Sequence, residues 1–129
     1  EPYGIGGSME LARTAFKAED YETAAKAWEK LALSGDESVK TVARLGLART
    51  RMLENRPGEA LALLEQLQQS APKGFGKTIL TEIAQAAEAA GNPDRALIAY
   101  QELMSDEQAD RAYLEHKMKQ VFLRMMNKG

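Results

Sequence analysis

The segment Ala71–Thr78 has residue types and spacing that could bind a nucleotide. It runs Ala-Pro-Lys-Gly-Phe-Gly-Lys-Thr, which fits a relaxed phosphate-loop pattern of a small residue, four residues of any type and then Gly-Lys-Ser/Thr. A phosphate loop follows a buried β-strand and opens a helix, because only then do its N–H groups and its lysine converge on phosphate. Here the preceding Leu61–Gln69 has a helical pattern and no strand is predicted. Nucleotide binding is therefore not expected.

His116 is a second candidate for chemistry, as the only histidine in a chain without cysteine. A metal site or a catalytic dyad needs further ligands or a nucleophile at suitable spacing, and none accompanies it in the sequence. Glu115 and Lys117 beside it indicate a surface position on a helix.

The net charge of −2 supplies no general attraction for nucleic acid or anionic lipid. We therefore predict a protein that is no enzyme, uses no metal or cofactor and binds no nucleic acid.

The elements that carry these residues follow from an internal repeat of 36 residues. The same landmark occurs three times, as Ala24-x3-Trp28-x2-Leu31, Ala60-x3-Leu64-x2-Leu67 and Ala96-x3-Tyr100-x2-Leu103. Twelve residues ahead of each copy lies a Leu/Ile-Ala pair, at Leu11-Ala12, Leu47-Ala48 and Ile83-Ala84. A period of this length is typical of solenoids, in which each unit buries its apolar face against its neighbours.

Each unit has the pattern of two amphipathic helices with a small residue at the centre of each. We predict helices at about 8–18, 21–34, 37–54, 57–70, 75–90, 93–105 and 107–127, with Gly4, Gly6 and Gly7 as a flexible lead into the first. The predicted fold is all-α: one domain over 1–129, a right-handed α-solenoid of three helical hairpins with a C-terminal capping helix. Its repeats cover about 5–36, 37–72 and 73–106, and its cap about 107–127.

This pattern resembles the tetratricopeptide repeat, whose units are helical hairpins with a small residue in each helix and an aromatic residue in the second. Two features depart from the family: the step is 36 residues rather than 34, and the aromatic that usually opens the first helix is missing. The resemblance covers about 5–105. It implies a superhelix whose first helices line a concave groove that binds proteins.

Carried over position by position, the resemblance implies which side chains face that groove. They are Met9, Arg13, Phe16, Val42, Leu45, Arg49, Met52, Thr81, Gln85 and Glu88. Arg13 and Arg49 are one step apart, so we expect them on neighbouring helices, where they could receive a carboxylate while the methionines contact apolar side chains. The alternative is that these arginines are solvated on an outer helix face.

The last predicted helix carries a broad apolar stripe. Its members are Leu114, Met118, Val121 and Met125, widened by Tyr113, Phe122 and Met126. A solenoid needs a cap over its final unit, so we expect this helix to pack on Leu97 and Tyr100. The alternative is a contact with a partner or with a second copy in a homodimer.

A closer resemblance joins Tyr3-Gly-Ile-Gly-Gly-Ser-Met-Glu-Leu-Ala12, the three units and the final Leu114-Glu-His-Lys117-Met118 segment. Together they resemble the periplasmic domain of the YfgM-like family of ancillary subunits of the bacterial SecYEG translocon. That resemblance implies an inner-membrane protein with a periplasmic domain close to translocon and chaperone proteins. The membrane would be reached only through an anchor absent from this sequence. A cytoplasmic location is the alternative.

We therefore expect a protein-binding scaffold that holds a protein or peptide segment in its concave groove. A homo-oligomeric structural subunit, associating through the C-terminal helix, is the competing hypothesis.

Overall fold

A computed structural model describes residues 4–127, without the side chains of residues 4 and 5. Within that range it contains helices and no strand. The α-helices are α1 Gly4–Lys17, α2 Tyr21–Leu31, α3 Glu37–Leu53, α4 Pro57–Ser70, α5 Gly76–Ala89, α6 Pro93–Met104 and α7 Arg111–Asn127. The two ends of the predicted domain, 1–3 and 128–129, lie outside the described residues, and so does Tyr3 of the closer resemblance.

Each helix packs against the next one along the chain, which makes the molecule an α-solenoid of helical hairpins. The hairpins are α1–α2, α3–α4 and α5–α6, and α7 packs against α6. The predicted all-α solenoid is confirmed. No helix of residues 4–127 has the length and apolarity needed to cross a membrane.

The three hairpin turns share one backbone geometry at the 36-residue step. Glu19, Asn55 and Gly91 have φ of 61°, 62° and 75°, so each turn contains one left-handed residue. The following amide donates five residues back in every turn, from Asp20 to Ala15 at 2.9 Å, from Arg56 to Arg51 at 2.8 Å and from Asn92 to Ala87 at 2.8 Å. This is the bonding of a Schellman motif, which satisfies carbonyls at the end of the first helix.

The landmark residues form the core. Burial is nearly complete at Ala24, Ala60, Ala96, Trp28, Leu64, Tyr100, Leu31, Leu67 and Leu103. The Leu/Ile-Ala pairs differ at one point: Leu11 is 43% exposed, whereas Leu47 and Ile83 are buried. The reason is that α3 and α5 each pack against a preceding helix, and among the described residues α1 has none before it.

Two apolar clusters meet at α3. Ala43 and Leu47 of α3 pack with α1 and α2, while Leu45 and Ala48 pack with α4 and α5. Leu63 of α4 also packs against both clusters, so α3 and α4 together join the first hairpin to the remainder of the solenoid.

Two helices begin at other residues than predicted. The predicted flexible lead at Gly4, Gly6 and Gly7 is instead helical and belongs to α1, whose next residue, Ser8, is buried. The last helix begins at Arg111 rather than near 107, because the Asp110 carboxylate accepts from the Tyr113 N–H at 3.1 Å and caps it there.

Candidate functional site

Side chains of the odd-numbered helices line three cavities in a row, which we call the groove. The first lies between α1 and α3, the second between α3 and α5, and the third beside α5 and the start of α7. Arg49 lines both the first and the second cavity. Lys77, Thr81 and Gln85 line both the second and the third. The cavities therefore follow one another continuously along one side of the solenoid.

The first cavity, which we call the Trp28 pocket, has a volume of about 200 Å³. It is lined by Arg13, Phe16, Lys17, Trp28, Val42, Gly46 and Arg49. Phe16 is half-buried and contacts the ring of Tyr21 edge-on, with the ring centroids 6.1 Å apart. The pocket thus combines apolar side chains with cationic ones.

The Trp28 pocket depends on a close approach between Trp28 and α3 at Gly46. A Cβ added at Gly46 would lie 2.4 Å from Cε2 of the indole and 2.7 Å from Cζ2. Any other residue here would displace the ring. The indole Nε1 is buried and finds no hydrogen-bond acceptor in the part of the chain that the structure describes. Trp28 is therefore positioned by packing alone.

The cations of the Trp28 pocket differ in their partners. Arg49 donates two hydrogen bonds to Glu82, from Nε to Oε1 at 2.9 Å and from Nη2 to Oε2 at 2.7 Å. The binding of a partner's carboxylate by Arg49 stays a prediction, and in the structure the guanidinium is already paired with Glu82 of α5. Arg13 and Lys17 are exposed, and neither takes part in an ion pair among residues 4–127.

The second cavity is more polar than the first, and the third resembles the first in its balance of polar and apolar side chains. The second has a volume of about 440 Å³ and is lined by Arg49, Lys77, Thr78, Thr81, Glu82 and Gln85. The third has a volume of about 200 Å³ and adds the aromatic rings of Tyr100 and Tyr113. Lys77 lies 3.8 Å from Asp106 at its edge. Lys77 and Thr78, which complete the phosphate-loop pattern, lie in the first turn of α5 after a 3₁₀ turn at Lys73–Phe75.

Glu88 fixes α7 to the solenoid instead of facing an open groove. Its side chain is only 10% exposed and lies 3.4 Å from Lys117 and 3.2 Å from Arg124, both on α7. The Tyr100 hydroxyl also donates to it. Burial, followed by the hydrogen bond and the negative charge of Glu88, raises the pKa of Tyr100 far above the ordinary range. The phenol therefore stays protonated as a donor.

The other predicted groove residues divide into two groups. Arg13, Phe16, Val42 and Arg49 line the Trp28 pocket together, and Thr81 and Gln85 line the next two cavities. By contrast, Leu45 is 4% exposed and belongs to the core, while Met9 and Met52 pack partly buried against the two clusters. The structure thus places these three in the packing of the odd helices.

The apolar stripe of α7 is mostly turned inward. Leu114 and Val121 are buried, and Met118 and Met125 pack against the same cluster. Phe122 does not join them, since it is 55% exposed. His116 is exposed as well.

Sequence reasoning missed several groove residues, namely Lys17, Gly46, Lys77, Glu82 and Tyr113. The sequence does carry a signal for Gly46, which lies 18 residues after Trp28. At the equivalent places of the next unit, the same separation joins Leu64 to Glu82. The largest landmark residue is thus paired with the smallest facing residue, which indicates a close contact.

Comparison with known protein families identifies a match for most of the chain. The family described as "Tetratricopeptide repeat-like domain" matches residues 1–122. No curated protein and no solved structure matches the chain.

Proposed function

The chain belongs to the tetratricopeptide repeat-like domain family, and from that membership we propose that it is a non-catalytic scaffold that binds an extended protein segment in its groove. Domains of this kind commonly mediate protein–protein interactions. The observation that carries the proposal is the continuity of the groove, whose three cavities share Arg49, Lys77, Thr81 and Gln85. A row of linked cavities suits a chain of side chains better than it suits one compact metabolite.

Site-specific photocrosslinking tests this proposal. A photoreactive amino acid at Gln85 would lie on the groove, whereas one at Ile98, which is 54% exposed on α6, would not. We expect proteins to crosslink at position 85 and the yield to fall when a groove-binding peptide is added before irradiation, with little capture at position 98. Equal capture at both positions would contradict the groove as the binding face.

A finer proposal concerns where the scaffold works. The resemblance to the YfgM-like family supports a periplasmic adaptor near the export translocon and its chaperones. Its test is crosslinking of the full-length protein in cells, followed by fractionation of the inner membrane. Recovery in the cytoplasmic fraction without any translocon or chaperone crosslink would contradict this finer proposal. The broader proposal of a protein-binding scaffold would not be affected.

A second candidate is a homo-oligomer associating through α7. Phe122 and Leu123 are 55% and 49% exposed, yet they stand 36 residues after Ala86 and Ala87, which are fully buried in α5. The face that packs in α5 is therefore uncovered in α7, and another helix could cover it. Sedimentation at tens of micromolar tests this candidate, and a monomer would contradict it.

A further inference from the structure

We propose that the Trp28 pocket holds one apolar side chain of the bound segment, while Arg13 and Lys17 bind a neighbouring Asp or Glu of the same segment. This inference rests on the proposed function and names the chemistry of the partner. It replaces the sequence-based pairing of Arg13 with Arg49.

The size of the Trp28 pocket limits what it can hold. Its volume is about 200 Å³, below the roughly 300–1,000 Å³ of pockets that bind whole small molecules. An apolar cavity of about 150 Å³ is large enough for benzene. The pocket therefore fits a single Leu, Met or Phe side chain, which Phe16, Trp28 and Val42 would contact.

The charges at the pocket select the second element of the ligand. Arg13 and Lys17 are four residues apart on α1, so they occupy one face of that helix with a rise of about 6 Å between them. Neither forms an ion pair in the described part of the chain, and the third cation, Arg49, is already paired with Glu82. Two adjacent cations without a counter-charge favour an acidic ligand.

We assign the carboxylate to an internal Asp or Glu rather than to a chain terminus. The reason is that the groove continues from the Trp28 pocket towards α5 through Arg49. A segment bound at the pocket can therefore extend into the second cavity without ending there.

The protein contains its own reporter for this site. Trp28 is the only tryptophan in the chain, lines the pocket and has no hydrogen bond from Nε1 within the described residues. A side chain entering the pocket would change the surroundings of the indole and hence its emission.

The experiment begins with display selection of random dodecapeptides on the domain. Selected peptides are then synthesised with both ends capped, so that only side chains carry carboxylates. Binding is followed in parallel by anisotropy of a dye on the peptide and by Trp28 emission. We expect an acidic residue beside a Leu, Met or Phe, a shift in emission, and affinity that falls with added salt.

Two variants at the pocket supply the decisive comparison. Charge reversal, Arg13→Glu with Lys17→Glu, should weaken binding by about tenfold or more, whereas Arg13→Lys with Lys17→Arg should retain most of it. Both pairs are exposed, and circular dichroism checks that they fold. A Thr81→Glu, Gln85→Glu variant perturbs the groove away from the pocket.

The outcomes separate the two proposals. One outcome would overturn the proposed role of the Trp28 pocket but leave the groove as the binding site. In that outcome, the Thr81 and Gln85 changes weaken peptide binding, charge reversal at Arg13 and Lys17 does not, and Trp28 emission stays unchanged. Binding only by peptides with a free carboxyl terminus would overturn the internal-acid assignment. Failure of selection to yield any peptide sensitive to either variant would overturn the proposed function itself.

Discussion

Gly46→Ala should destabilise the protein, although the same change usually stabilises a helix. Replacing a helical glycine by alanine gains about 0.8–1.0 kcal/mol. The new Cβ would, however, lie 2.4, 2.5 and 2.7 Å from three indole atoms of Trp28, and overpacking of a well-filled core costs about 1–3 kcal/mol or more. With three contacts this short we expect the upper part of that range, leaving a net loss of about 1–2 kcal/mol.

Gly58 provides the matched control. It lies in α4, and a Cβ there would meet nothing within 4 Å, so Gly58→Ala should gain about 0.4–1 kcal/mol. Urea unfolding and thermal melting would measure both variants, with Tm moving by about 3–5 °C per kcal/mol for a domain of this size. Opposite signs at positions 46 and 58 are the expected result.

A second background makes the test of Gly46 specific to the indole. In a Trp28→Leu protein, which copies Leu64 of the next unit, the crowding is removed and Gly46→Ala should become stabilising. If Gly46→Ala were neutral or stabilising with Trp28 in place, the contact would be freely adjustable and the reasoning about the shape of the Trp28 pocket would be refuted.

Three further predictions concern the turns and α7. Glu19→Gly should raise the free energy of unfolding, measured in urea, by about 0.5–1 kcal/mol. Glu19 has a left-handed φ of 61° at the position where the third unit has Gly91. A decrease would contradict backbone strain at Glu19. Glu88→Gln should cost about 1–3 kcal/mol and speed hydrogen exchange in α7, because two cations and a phenol lose their shared carboxylate, whereas the exposed Glu115→Gln should change neither quantity. The third prediction concerns pH. Because the pKa of Tyr100 is raised in the folded state, its contribution to the free energy of unfolding is fully present below about pH 10. That contribution is lost above this pH, by up to about 1.4 kcal/mol per pH unit. Above about pH 10 the stability of Tyr100→Phe should therefore fall less steeply with pH than that of the unmodified protein. Equal slopes for the two proteins would refute this prediction.

The sequence predicted the fold well because packing repeats with the period. Ala24, Ala60 and Ala96 are completely buried as expected, since equivalent positions face equivalent neighbours. The bidentate pair of Arg49 with Glu82 could not be predicted, because it depends on the side-chain conformations of residues 33 apart on different helices. The same holds for Glu88, whose two cationic partners come from a helix outside the repeat.

Divergence between the units distinguishes the proposed binding side of the solenoid from its packing side. Ala12, Ala48 and Ala84 are identical at the 36-residue step and are buried, as packing requires. The groove positions change at the same step, from Arg13 to Arg49 to Gln85, and from Lys17 to Leu53 to Ala89. A homopolymeric ligand would be matched by equivalent contacts in every unit. Among the described residues, the first unit is the one that places cations without an ion pair beside an apolar pocket. A segment bound as proposed would therefore be fixed in one register and one direction.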